Sequence, residues 1–136
     1  MILATRRYCF PAAHVLCHPA LSAEENDRVY GKCTNEHGHD YGVEVTVAGP
    51  VDPLTGRIVD PALLDALFEE HIESRLAHCM LNEDGWFRDL VPTAENIAAV
   101  IHRELGARVG ESTTARVTVV RINETRKNSF IHGEVQ

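Results

Sequence analysis

With 136 residues, 44% of them apolar, the chain is sized for a single packed domain spanning 1–136. A formal charge of −7 opposes nucleic acid as a general partner, because such binding gains affinity by neutralising phosphates with a basic face. No run approaches the roughly 18 apolar residues a membrane span needs, and Met1 to Ala4 is too short for a leader, so a soluble, cytoplasmic protein is expected.

Residues Leu3 to His14 read as a first strand, less cleanly patterned than the second. Between them, Cys17 to Glu36 carries Pro19, Ser22, Asn26, Asp27 and Gly31 and reads as a long loop, a length often tied to function in compact domains. From Tyr41 to Ala48, Tyr41, Val43, Val45 and Val47 alternate with Gly42, Glu44, Thr46 and Ala48, the period of a half-buried strand. After the turn Asp52-Pro-Leu-Thr-Gly56, Asp60 can cap a helix with Pro61 at its first position. Leu63, Leu64, Leu67, Phe68, Ile72 and Leu76 would form its apolar face.

A second helix follows Pro92, with Thr93 as its N-cap. Ile97, Val100, Ile101 and Leu105 form its stripe, and Gly106 is its stop. Arg116 to Asn123 is β-branched, and Ser129 to Val135 returns as a last strand. The order ββααββ predicts an α+β fold, a four-stranded antiparallel sheet with both helices on one face. Its open edges favour joining subunits edge to edge.

Cys9, Cys17, Cys33 and Cys79 form no CxxC pair and read as free thiols. A phosphorylated substrate would need local cations, for which Arg28, Lys32, Arg126 and Lys127 are candidates, with solvated surface charge as the plainer reading. In an extended segment His37 and His39 face the same way, where zinc can take two imidazole nitrogens, although an isolated His-x-His is common by chance. Cys33 reads equally as a third ligand, as a base beside a metal, or as a small buried hydrophobe.

Several segments carry a resemblance, in the same order along nearly the whole chain. They are Phe10-Pro-Ala-Ala-His14, Tyr30-Gly-Lys-Cys-x3-His-Gly-His39, Asp52-Pro-x-Thr-Gly56, Leu76-x-His78, Leu81-Asn82, Pro92-Thr-Ala-Glu-Asn96 and Glu124-Thr125. Together they resemble the 6-pyruvoyl-tetrahydropterin synthase and 6-carboxy-tetrahydropterin synthase family. The resemblance implies the tunnelling fold, assembled as a barrel homohexamer, a dimer of trimers. It implies catalytic zinc on His14, His37 and His39 and a pterin triphosphate substrate, 7,8-dihydroneopterin triphosphate, in a lyase reaction that expels triphosphate. Cys33 then matches the base, His78 the proton relay and Glu124 the acid that anchors the pterin, with Thr93 and Glu95 near the same pocket. The three residues between Cys33 and His37 are closer to the 6-carboxy enzymes of the queuosine route, which is the product expected first, ahead of the 6-pyruvoyl product.

Two positions depart from the pattern. The family's Leu-Asp-His is Leu76-Ala77-His78 here, so the acid that orients the relay histidine is missing. That admits a catalytically impaired pterin-binding paralogue as a reading of another class. Glu36, before His37, is either a solvated loop glutamate or a second base, which would make the 6-hydroxymethyl-dihydropterin product accessible.

Overall fold

The computed structural model describes residues 2–134. Four antiparallel strands, β1 (Leu3–His14), β2 (His37–Ala48), β3 (Arg116–Asn123) and β4 (Ser129–Gly133), lie side by side in chain order. β1 and β2 match the expected pairing, but β2 starts at His37, four residues before the alternation becomes visible. The expected end of β4 at Val135 lies outside the described residues. The core-facing side chains of the sheet, among them Phe10, Tyr41, Val43, Val45, Val120 and Ile122, are fully buried against the helices.

The helix α1 (Ala23–Tyr30) corrects the reading of Cys17 to Glu36 as a loop. Its signal is a capping box: Ser22 accepts from the Glu25 N–H and the Glu25 carboxylate accepts from the Ser22 N–H, both at 3.1 Å. Periodicity missed it because Asn26 is its only buried residue, so no apolar stripe exists to find. A short 3₁₀ turn, Gly31–Thr34, leads from it into β2.

The helix α2 starts at Pro61–Phe68 under its Asp60 cap and runs on through a π-helical turn, Glu69–Glu73, into Ser74–Leu76. Leu64, Phe68, Ile72 and Leu76 are all buried and recur every four residues. On a 3.6-residue helix that spacing drifts by about 40° per step, and the wider turn resets it so that Leu76 still meets the core.

The last helix, α3 (Ala94–Ser112), passes through Gly106, which was expected to end it. The buried stripe continues to Val109, and a Cβ at Gly106 would meet Val117 of β3 at an ordinary 3.9 Å, so the residue sits inside a continuous helix packed on the sheet. The actual stop is Thr113, whose hydroxyl and N–H both donate to the Val109 carbonyl at 2.9 Å.

At the β1 edge, Phe68 stacks on Tyr8 with ring centroids 4.0 Å apart, and Tyr8 and Arg6 both donate to the Asp65 carboxylate. Among the described residues no helix is long and apolar enough to cross a membrane. Because Phe68 is 1% exposed and Leu54, at the turn tip, 94% exposed, Phe68→Ala should cost about 3–5 kcal/mol in urea unfolding. Leu54→Ala should stay within about 0.5 kcal/mol. Equal losses at the two positions would contradict the assigned packing.

Candidate metal centre and adjoining cleft

The β1–β2 register sets His14 directly opposite His37 and Ala12 opposite His39. Alternation turns His14, His37, His39 and Tyr41 to the core face, at the end of the sheet closed by the start of α3. One ring nitrogen from each histidine lies within 4.8 Å of the others. The clustered donors are His14, His37 and His39, without a cysteine, so the structural Cys33-His37-His39 set is not what the fold assembles.

Backbone carbonyls fix the rings. His14 Nδ1 donates to the Pro92 carbonyl at 2.8 Å and His37 Nδ1 to the Asn35 carbonyl at 2.7 Å, so each Nε2 carries a lone pair, that of His14 with the Tyr41 hydroxyl 3.4 Å away. His39 Nε2 is buried without any hydrogen-bond partner. Such an orphaned atom is costly unless something binds it. Two imidazoles held in the ligating tautomer and a third with a stranded nitrogen fit a metal cation.

The electrostatics agree. Burial, above all, pushes the His14 pKa down to about 4; the Pro92 carbonyl pulls it up, and His37 and His39 add to the depression. His39 is lowered mainly by burial, against the field of Glu124. Near neutral pH both imidazoles are therefore uncharged and able to donate a lone pair. Tyr41, fully buried, places its hydroxyl 3.2 Å from His14 Nδ1, and burial followed by the Glu124 charge pushes its own pKa far up. Sequence reasoning missed Tyr41 because it reads as one more core residue of the alternating strand.

The other predicted residues surround this centre unequally. Glu124 follows β3, and its charge acts on both His39 and Tyr41. His78 is exposed and has a left-handed backbone, φ 61°, the one non-glycine residue so placed among those described. That turn directs residues 78–80 alongside β1: His78 N–H donates to the Pro11 carbonyl at 2.7 Å and Ala13 N–H to that of Cys79 at 2.9 Å. A cleft of about 580 Å³ lies there, lined by Glu36, His39, His78 and Cys79 over Pro11 and Gly38.

Cys33, partly exposed in the 3₁₀ turn, stands outside that cleft lining; its carbonyl accepts from the Leu16 N–H. Thr93 caps α3 by accepting from the Asn96 N–H, and Glu95 is exposed in the first turn. Ala77 packs partly buried against the core and brings no carboxylate to His78.

If His39 Nε2 is kept for a metal at the expense of the fold, His39→Ala should leave the metal-free melting temperature unchanged or higher while abolishing the rise produced by added zinc. A large drop in the metal-free protein would show that His39 serves the core instead.

Residues 4–134 match the family described as 6-pyruvoyl tetrahydropterin synthase. The 6-pyruvoyl tetrahydrobiopterin synthase of Poecilia reticulata is 41% identical over 131 residues, 94% of this chain and 87% of that protein. The 6-carboxy-5,6,7,8-tetrahydropterin synthase of Rickettsia bellii is 28% identical over 147 residues, covering 96% and 99%. The solved structure of Caenorhabditis elegans 6-pyruvoyl tetrahydropterin synthase superposes with a TM-score of 0.89 at 33% identity, covering 98% of this chain and 96% of that one. With the family match over nearly the whole chain and the superposed fold in agreement, the chain belongs to the 6-pyruvoyl tetrahydropterin synthase family.

Proposed function

We propose that the chain is a zinc-dependent lyase that converts 7,8-dihydroneopterin triphosphate to the 6-pyruvoyl product with release of triphosphate. The observation that carries this is the histidine triad, with the stranded Nε2 on His39, the residue that also lines a cleft with Glu36, Asp40, His78 and Cys79. All-nitrogen coordination that keeps a position open suits catalytic zinc. Bound there, zinc would supply Lewis acidity to the oxygens of the substrate side chain.

The remaining work falls to this chain's own groups. Glu124, next to the triad, offers two acceptor oxygens to the N–H edge of the pterin ring. Cys33 is the base that removes a carbon-bound proton, and His78 passes protons across the cleft mouth. Thr93 is engaged in its cap and Glu95 is exposed, so both belong to the pocket's margin. The exposed edges β1 and β4, with Leu3 and Ile131 each 46% exposed, support assembly of subunits into the family's hexameric barrel. A cytoplasmic location accords with such a small-molecule enzyme.

The 6-pyruvoyl product replaces the 6-carboxy product expected from spacing, because the 6-pyruvoyl relatives are 41% and 33% identical and the 6-carboxy relative 28%. The short Cys33-to-His37 spacing still favours the 6-carboxy reading as the second. The position of Glu36 in the cleft keeps the 6-hydroxymethyl product in view.

Incubating zinc-loaded protein with the triphosphate and resolving the pterins should yield the 6-pyruvoyl compound. Ala77→Asp should raise turnover by between about tenfold and 10⁴-fold, the range an orienting carboxylate can command. A 6-carboxy product would reverse the order of the two readings. No turnover by either protein would leave the pterin-binding paralogue.

A further inference from the structure

Two asparagines that lie outside the roles assigned so far hold the backbone on both sides of His14. Asn96 Nδ2 donates to the Val91 carbonyl at 2.8 Å, while the Asn96 N–H donates to the Thr93 hydroxyl at 3.3 Å. These two bonds bracket Pro92 and fix the direction of its carbonyl, the acceptor for His14 Nδ1 at 2.8 Å. On the other side, Asn82 makes a double bridge to Val15, the residue after His14: the Val15 N–H donates to Oδ1 and Nδ2 donates to the Val15 carbonyl, both at 2.8 Å. The bridge imitates one more rung of a β ladder beyond the end of β1. It works together with the Ala13–Cys79 bond on the residue before His14.

We propose that Asn82 and Asn96 are positioning residues of the metal triad. Asn96 aims the carbonyl that selects the His14 tautomer, and Asn82 holds the strand end from which His14 projects. The inference rests on the reading that His14, His37 and His39 hold a metal. Its chemical basis is the cost of loosening the groups that orient a ligand, about 10- to 100-fold in metal affinity. Only an amide serves at position 82, since the bridge needs a donor and an acceptor on one side chain. Position 96 needs a donor, and a carboxylate there would face the Val91 carbonyl with like partial charge. Asn96 is partly buried and Asn82 exposed, so water competes more at Asn82 and the larger effect belongs to Asn96.

The test measures zinc affinity by competition with a chelating dye, together with the metal-free melting temperature. Asn96→Ala should weaken zinc by about 10- to 100-fold and Asn82→Ala by a few-fold to tenfold. Both should shrink the zinc-induced rise in melting temperature. Asn26 makes a similar amide clamp on the His18–Leu21 loop, with no bond to Val15, Val91 or the triad. Asn26→Ala should therefore lower the metal-free melting temperature and leave zinc affinity unchanged. Should an alanine variant fail to fold, Asn82→Asp, which keeps the acceptor for the Val15 N–H but loses the donor, and Asn96→Asp, which loses the donor to the Val91 carbonyl, take their places with the same expected direction. Wild-type protein that binds no zinc would overturn the metal reading itself. Wild-type binding with undiminished affinity in the Asn82 and Asn96 variants, or an equal loss in Asn26→Ala, would overturn the positioning role.

Discussion

The register of β1 against β2 is the constraint on which the rest of the site depends. His14 and His37 are remote in sequence and meet only because the ladder places them opposite each other, with His39 two residues along on the same face. A slip of one residue would send His14 to the opposite face of the sheet. The alternating Tyr41, Val43, Val45 and Val47, all buried, resist that slip, since it would expose four core side chains together. The apolar half of β2 therefore holds in place the polar half that carries the histidines.

Around that ladder the fold prepares the histidines for a cation. Burial keeps His14 and His39 neutral, and two backbone carbonyls fix the tautomers of His14 and His37 so that Nε2 carries the lone pair. The third ring leaves a buried nitrogen unsatisfied, a local loss of stability that a metal would recover. The π turn in α2 and the left-handed His78 then lead the chain back beside β1, where the cleft opens over Pro11 and Gly38 and takes in His39.

How legible each part was follows from how local its cause is. Strands and the two long helices announced themselves through alternation and apolar stripes. The helix α1 did not, because it buries almost nothing and its only signature is the Ser22–Glu25 box. Gly106 misled because the apolar stripe runs on past it to Val109 and carries the helix through. His37 and His39 were visible as a pair, but His14 needed either the family resemblance or the ladder itself. The Pro92 and Asn35 carbonyls and the clamps of Asn82 and Asn96 carry no side-chain motif that announces a metal site, and only the folded chain brings them to the rings. Ala77 was legible at once as an absence, since an alanine packed partly buried against the core brings no carboxylate to His78.

The central claim is that the fold builds an all-histidine centre, with Cys33 kept out of the coordination shell and free for proton transfer. X-ray absorption at the zinc edge of the loaded protein tests it most directly. The account predicts three imidazole nitrogens at about 2.0–2.1 Å plus a light atom, and a sulfur scatterer at about 2.3 Å would contradict it.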